Sequence, residues 1–177
     1  MLLDNMHLIN HSHMETPFAS PSLLISIIVR DPLDAMKWYS TAFGAEEMLR
    51  FHGLDGTVKD IIMNVQGSQF SITMEEPHVA TLLKSPNRLE GVTSTFRLIT
   101  DDALALHKRA LLAGAESSAF VENMGYQGAT IRDPFGFEWG IWENVKSLSG
   151  EEMQQLYYEK EKISKGLEMQ VKEGQLI

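Results

Sequence analysis

The feature that most constrains this chain is an internal repeat with a period of 70 residues. Five identical pairs lie at this spacing: Asp31 and Asp101, Ala35 and Ala105, Gly44 and Gly114, Ala45 and Ala115, and Glu46 and Glu116. In each copy an apolar stretch precedes the Asp, and a Gly ends the helix-compatible segment that follows. Asp accepts hydrogen bonds from N–H groups at a helix start, and Gly adopts the left-handed conformation that ends many helices. We therefore expect two copies of one supersecondary unit.

Strand patterns on both sides of the predicted helices complete each unit. Apolar stretches at 23–29 and 92–99 precede the helices. Three strand candidates separated by Gly- and Asp-containing turns follow each helix: 47–52, 58–65 and 69–75 in the first copy, and 116–121, 127–132 and 136–143 in the second. This order predicts an α+β fold of two βαβββ modules, at about 22–77 and 91–146, with 77–91 as the linker.

Alternation along the strands predicts one apolar face and one mixed face for each strand. In the first strand, Leu23, Ile25, Ile27 and Val29 share the apolar face, which we expect to lie under a helix. A mixed face either contacts water or lines a concavity. Our candidate ligand-binding residues lie on these mixed faces: Ser26, Ser71, Thr73, Thr95, Arg97, Glu138 and Trp142.

Both ends of the chain differ from the modules in composition. Residues 1–21 form a polar leader with His7, His11 and His13, which we expect to be flexible rather than a metal site. Residues 147–177 are predicted to form a helix and a tail. Ser149 and Glu152 match a capping box, and the helix is expected to run from 150 to about 165, where Lys165 and Gly166 end it. Apolar residues at a spacing of three to four predict that one face of this helix docks.

Composition excludes several classes of protein. The net charge of −9 argues against nucleic acid as a partner, because neutralising phosphates requires a basic face. The chain has no Cys, so disulfides, thiolate metal sites and a Cys nucleophile are excluded. The longest apolar run, 23–29, is too short to span a membrane, and no signal peptide pattern is present. We expect a cytoplasmic protein with no membrane partner.

Three short motifs carry a family resemblance. The segment from Arg132 through Asp133-Pro134-Phe135-Gly136 to Trp139 resembles the C-terminal signature of the glyoxalase/bleomycin-resistance family, part of the vicinal oxygen chelate (VOC) superfamily. Trp38-Tyr39 with 43–46 is similar to the first-helix signature of that family, and 113–115 to the second. The resemblance implies an open, cup-shaped mixed sheet of eight strands, at 22–146, and a homodimer.

The resemblance also implies a divalent metal site, which this sequence does not match. Enzymes of the family hold the metal with His and Glu from the first, fourth, fifth and eighth strands. Those positions fall on or next to Leu24, Thr73, Thr95 and Gly140, and none of these is an ordinary side-chain ligand of such a metal. We expect no cofactor, although a divalent metal held elsewhere is not excluded.

The charged candidates leave two functions open. Arg97 can bind an anionic or carbonyl-bearing ligand, or it can pair with Glu75 or Glu138. Glu138 is a weak candidate for a general base, Trp142 can stack on a flat ligand, and Tyr126 can gate the cup. His107 is expected to face solvent. The sequence therefore predicts a protein that binds a small, anionic or aromatic compound in a metal-free cup. The alternative is a lyase, isomerase or dioxygenase of the same fold with a relocated metal or acid–base residues.

Overall fold

The computed structural model describes residues 23–76 and 83–172, with side chains described up to 165. The elements in chain order are β1 (Ile25–Val29), α1 (Pro32–Phe43), β2 (Glu46–His52), β3 (Val58–Val65), β4 (Ser68–Met74), α2 (Pro86–Leu89), β5 (Thr95–Ile99), α3 (Ala103–Leu112), β6 (Glu116–Ser117), β7 (Val121–Asn123), β8 (Tyr126–Arg132), β9 (Glu138–Asn144) and α4 (Gly150–Lys172). The leader with His7, His11 and His13, and the linker residues 77–82, lie outside the described residues.

The chain divides into two compact units, of which the first contains β1–β4 and α1 up to Ser40. Its sheet has the order β1-β4-β3-β2, with β1 parallel to β4 and the other pairs antiparallel. Ile27 and Ile72 are fully buried on the α1 side, where the Tyr39 ring packs edge-on against Phe70 at 5.4 Å. The buried part of the apolar face of β1 is shorter than predicted and begins at Ile27, because Leu23 and Ile25 are 87% and 42% exposed.

The second unit contains Thr41–Phe43 and the chain from Pro86 onward. Its sheet has the order β5-β9-β8-β6, and β7 also pairs with β8. β5 is parallel to β9, whereas β8 is antiparallel to β6, β7 and β9. Ile131, Ile141 and Leu106 of α3 are buried in its core.

Helix termini follow the predicted chemistry. Asp31 Oδ1 accepts hydrogen bonds from the Leu33 and Asp34 N–H groups, and Gly44 ends α1 with φ +70°. In the repeat the N-cap is Asp102, one residue later than the 70-residue spacing indicates, and it accepts from the Ala105 N–H at 2.8 Å. Helices α1 and α3 therefore each start where an Asp carboxylate satisfies N–H groups that have no carbonyl partner.

The prediction of an α+β fold with two βαβββ modules and a C-terminal helix is confirmed. In the described residues the strands are hydrogen-bonded as two mixed sheets, one of four and one of five strands. The strand predicted at 116–121 is wrong, because it is divided into β6 and β7. Side-chain hydrogen bonding interrupts the strand. The Ser118 hydroxyl accepts a hydrogen bond from the Thr130 N–H, and such bonds compete with the regular backbone ladder of a sheet.

Two further boundaries differ from the prediction. The predicted linker 77–91 contains α2, a single helical turn. The last helix does not end at Gly166 but continues to Lys172. An internal Gly costs a helix only about 1 kcal/mol relative to Ala, which good helix formers on both sides can offset. No helix in the described part of the chain is both long enough and apolar enough to cross a membrane.

Candidate functional site

In the first unit, the predicted ligand-binding hydroxyls bond to one another across neighbouring strands. Ser26 and Ser71 are register partners in β1 and β4, and the Ser71 hydroxyl donates to Ser26 Oγ at 2.6 Å. The Thr73 hydroxyl donates to Asp60 Oδ1 at 2.9 Å. Ser71 is only 1% exposed, so its hydroxyl is closed off from solvent. Of the three predicted residues, only Ser26 is exposed, and Thr73 is half-buried.

In the second unit, the other four candidates share one face of the sheet. Thr95 is the register partner of Glu138, and Arg97 is the partner of Gly140, in the parallel pair of β5 and β9. Trp142 follows two residues after Gly140, opposite Ile99. Because side chains of alternate residues project to the same side of a strand, these residues form one continuous row. Arg97, Glu138 and Trp142 therefore lie on one face of the sheet, as the strand alternation predicted.

The Trp142 indole lies against the sheet over two glycines. A Cβ at Gly140 would lie 2.4 Å from Trp142 Nε1 and 3.5 Å from Arg97 Cγ. A Cβ at Gly128, the register partner of Trp142 on β8, would lie 2.9 Å from Trp142 Cε3 and 1.9 Å from the Ile141 carbonyl oxygen. No side chain fits at either position without displacing the indole or the backbone. The two glycines therefore hold the Trp142 ring close to the sheet.

A pocket of about 370 Å³, which we call the Arg97 pocket, opens beside this ring. That volume lies within the roughly 300–1,000 Å³ typical of small-molecule sites. Its walls come from four strands, one turn and one helix: Arg97 and Ile99 of β5, Asn123 of β7, Tyr126 of β8, Trp142 of β9, Met124 of the turn, and Met153 of α4. The pocket thus brings together Arg97 and Trp142, and it adds the predicted gating residue Tyr126.

Arg97 is the one charged side chain among the residues that line this pocket. It is exposed, and among the described residues it makes no hydrogen bond or ion pair. The Glu143 carboxylate, on the neighbouring strand β9, accepts instead from Gln127 Nε2 at 3.0 Å and from the Ala103 N–H at 3.2 Å. The guanidinium therefore has its donors available to a ligand in a largely apolar pocket.

Ile99, Asn123 and Met153 line the pocket but were not predicted. Asn123 and Tyr126 are register partners on either side of the Met124-Gly125 turn, so one hairpin delivers both. Met153 lies in the first turn of α4, which Ser149 and Glu152 cap reciprocally as predicted. The Lys160 ammonium donates to Asn123 Oδ1 and so connects α4 to the hairpin. The turn residues and the capping box are visible in the sequence, but their approach to β5 requires the tertiary fold.

Docking of α4 is partial. Met153 is half-buried at the pocket, but Leu156 and Tyr157 are 37% and 57% exposed. Of the three apolar residues on the face predicted to dock, only Met153 therefore does so, and Lys160, which the prediction did not include, adds the contact with Asn123. No described residue of α4 between 151 and 165 is fully buried.

Glu138 lies on the same sheet face as Arg97 but lines a different depression. This second depression, the β6 groove, has a volume of about 260 Å³ and is also lined by Glu116, Ser117, Ser118, Thr130, Ile131 and Arg132. Glu138 is half-buried there, and its carboxylate forms no hydrogen bond with a described residue. Arg97 and Glu138 are thus separated into two sites, and they form no ion pair with each other.

The positions assigned to the metal of the family do not fit a divalent ion. Leu24 has no donor atom, and the Thr73 hydroxyl is engaged with Asp60. Thr95 offers only a hydroxyl, and the space above Gly140 is filled by the Trp142 indole. Across the described ranges, no group of three or more His, Asp or Glu side chains is placed to hold a metal ion.

Contrary to the prediction, His107 does not face solvent. It is 8% exposed on α3, its ring packs near Phe120 at 5.5 Å, and Nε2 lies 2.7 Å from Ser117 Oγ. Burial lowers the pKa of the imidazole, which is therefore neutral at pH 7. The prediction failed because a polar residue beside Lys108 resembles an exposed helical position, whereas in the fold His107 is buried and its ring contacts Ser117 of β6.

Among the comparisons with known proteins, the solved structures bear on the fold. No family model matches the chain. It is 28% identical over 137 residues to an uncharacterized protein of Mycobacterium bovis, covering 76% of this chain and 90% of that protein. Its structure is similar to the X-ray structure of a gene product from Arabidopsis thaliana (29% identity, TM-score 0.55), covering 68% of this chain and 97% of that one.

A second solved structure is the fosfomycin resistance protein FosX from Listeria monocytogenes, with 14% identity and a TM-score of 0.54. The match covers 77% of this chain and 99% of the FosX chain. FosX proteins belong to the VOC/glyoxalase superfamily. The chain therefore has the fold of that superfamily, as the motifs around Trp38 and Asp133 predicted.

Proposed function

We propose that this protein binds a small aromatic anion in the Arg97 pocket and does so without a metal ion. The observation that carries the proposal is the exposed Arg97 guanidinium, which has no described protein partner and is the single charge lining a mainly apolar pocket. A planar fork of N–H donors suits a carboxylate or phosphonate, and the neighbouring Trp142 offers an aromatic surface.

The residue types at the family ligand positions support the metal-free part of the proposal. Arg97 lies beside one of these positions, because it is the register partner of Gly140 and a Cβ at Gly140 would lie 3.5 Å from Arg97 Cγ. Gly140 and Trp142 together place an aromatic ring where a carboxylate side chain at 140 would need to project. Binding thus rests on the guanidinium charge and on apolar contact with Trp142, Met124 and Met153.

The test is a calorimetric titration of the full chain with a panel of aromatic carboxylates and phosphonates. Arg97→Ala is expected to weaken the best ligand roughly 10- to 150-fold, because a hydrogen bond to a charged group contributes about 1.5–3 kcal/mol. Arg132→Ala is the matched control, since Arg132 is also exposed on the same sheet but lines the β6 groove. Equal affinity of the Arg97→Ala variant would remove Arg97 from the site.

A second candidate function is catalysis in the β6 groove with Glu138 as the acid–base group. The half-buried position of Glu138, with no described hydrogen-bond partner, favours this reading over a purely structural role. Its separation from Arg97 argues that such chemistry would not act on a ligand held in the Arg97 pocket. Glu138→Gln is therefore expected to leave ligand affinity at the Arg97 pocket within about twofold of the original chain.

A further inference from the structure

A serine and a histidine meet at the edge of the second sheet, outside the Arg97 pocket. Ser117 is the last residue of the two-residue strand β6, and His107 lies on the middle of α3. His107 Nε2 is 2.7 Å from Ser117 Oγ, which is also 2.7 Å from the Ser118 carbonyl oxygen. Ser117 Oγ also lies 3.5 Å from the Thr130 carbonyl oxygen, so its single hydroxyl hydrogen can be donated to the imidazole or to either carbonyl. When it is donated to the imidazole, the pair has the arrangement of a nucleophile and its base.

A nucleophile must be accessible to its reagent, whereas its base can be buried. The two members of this pair differ in burial in this way. His107 is 8% exposed and packs near Phe120, whereas Ser117 is exposed and contributes to the wall of the β6 groove. The buried imidazole is held neutral at pH 7 because burial lowers its pKa, and Nε2 accepts a proton in the tautomer that carries the ring hydrogen on Nδ1. A reagent in the groove can reach Ser117 while the base stays shielded from water.

We propose that Ser117 is a nucleophile activated by His107 and that it reacts with small uncharged esters that enter the β6 groove. Ser117 Oγ attacks the ester carbonyl carbon, and its proton passes to His107 Nε2. The carbon–oxygen bond to the alcohol breaks, and the departing alkoxide takes the proton from the imidazolium. Water then attacks the acyl group with the same base, which releases the acid and restores the serine. The groove carries two carboxylates, Glu116 and Glu138, against one guanidinium, Arg132, and so disfavours anionic esters.

The experiment is covalent labelling of the full chain with diisopropyl fluorophosphate, an uncharged reagent. Ser117 Oγ would attack phosphorus, fluoride would leave, and the proton would pass to His107. Peptide mass spectrometry reads the labelling rate of each serine. Ser118 is the matched internal control, because it is the adjacent exposed serine and its hydroxyl contacts the backbone rather than the imidazole. We expect Ser117 to react about 100-fold faster than Ser118, the contribution typical of a general base.

Two variants complete the test. Ser117→Ala should abolish the fast adduct, and His107→Gln should slow labelling of Ser117 to about the rate of Ser118. A folded His107→Gln protein, as judged by circular dichroism, that still labels at the original rate would overturn the role of His107. Equal rates at Ser117 and Ser118 in the original chain would overturn the proposal outright. Because this ratio is measured without any substitution, it decides the matter even if His107→Gln does not fold.

Discussion

At the scale of single residues, the Arg97 pocket depends on two glycines that leave room for the Trp142 indole. Gly128 and Gly140 lie on neighbouring strands, and a Cβ at either would meet the ring within 3 Å. At Gly140 the obstacle is a side chain, whereas at Gly128 it is also the Ile141 carbonyl oxygen. Neither glycine owes its role to a special backbone angle. Their role is to allow close contact between an aromatic ring and the sheet.

Gly140→Ala is expected to lower the free energy of unfolding by about 1–3 kcal/mol, because the added methyl group overpacks against Trp142. Gly91→Ala is the control, since a Cβ there meets nothing within 4 Å, and its effect should stay within about 0.5 kcal/mol. Urea denaturation followed by circular dichroism measures both changes. Equal effects of the two substitutions would show that the indole does not occupy the space above Gly140.

Asp133 illustrates a buried carboxylate with a structural role. It is 4% exposed and accepts hydrogen bonds from the Phe135 and Phe137 N–H groups and from Trp139 Nε1, each at 2.9 Å. These bonds close the turn between β8 and β9 and fix Trp139 in the core. The family-like motif at 132–139 thus encodes a turn that sets the register of the strand carrying Gly140 and Trp142.

Asp133→Asn should destabilise the fold by about 1–3 kcal/mol, because the amide nitrogen cannot accept the bonds that both carboxylate oxygens now receive. Asp101→Asn, at an exposed position before α3, should change stability by no more than about 0.5 kcal/mol. Thermal unfolding of both variants against the original chain provides the measurement. A neutral Asp133→Asn would mean that the turn is held by its backbone alone.

At the scale of elements, the hydrogen bonds at the start of α4 are its main described interactions, because few of its side chains contact other elements. Ser149 and Glu152 satisfy each other reciprocally: the Ser149 N–H donates to Glu152 Oε2 at 2.7 Å, and the Glu152 N–H donates to Ser149 Oγ at 3.2 Å. Most of the described side chains of α4 are exposed, and Met153 and Lys160 are its links to the pocket hairpin. The position of Met153 in the pocket wall therefore depends on this cap.

The cap predicts a pH dependence confined to the start of α4. The hydrogen bond from the Ser149 N–H lowers the pKa of Glu152. The carboxylate therefore stabilises the helix start above its unfolded pKa of about 4.3, and this contribution is lost as the pH falls through the folded value. Hydrogen-exchange protection of the Glu152 and Met153 amides should fall between pH 7 and about pH 3.

Glu152→Gln should lower that protection at pH 7 and remove most of its pH dependence, because the side chain no longer ionises. Glu151→Gln is the matched control, since Glu151 is an exposed acid in the same first turn without the bond to Ser149. An original chain whose protection at these amides is constant down to pH 3 would contradict the assignment of the cap.

At the scale of the whole molecule, the sequence was sufficient for the topology but not for the site. The repeat around Asp31 and Gly44 predicted both modules, because helix caps and strand alternation are local properties. The Arg97 pocket was predictable only in part. Arg97 and Trp142 follow from strand alternation, whereas Met153 and Asn123 reach the pocket through the path of α4 and the hairpin at Met124. His107 was placed wrongly because its partner Ser117 lies across a tertiary contact.

Assembly is a property of the same scale, and we propose that the protein forms homodimers. Several apolar side chains on the first module are exposed, among them Met48 at 48% and Phe51 at 46%, both on the edge strand β2. Exposed apolar residues grouped on an edge favour association. Sedimentation equilibrium should give twice the chain mass of 19.9 kDa at micromolar concentration. A single-chain mass at every concentration measured would contradict the dimer.

We propose that ligand binding in the Arg97 pocket depends on Arg97 and Trp142 and needs no metal. The most direct measurement is the affinity of the best aromatic anion for the chain purified in chelator, compared with its affinity after addition of Mn²⁺ or Ni²⁺. We predict the same dissociation constant under both conditions, and quenching of Trp fluorescence in both. Binding that disappears in chelator and returns with stoichiometric metal would contradict the account, because a metal ion rather than the guanidinium would then hold the ligand.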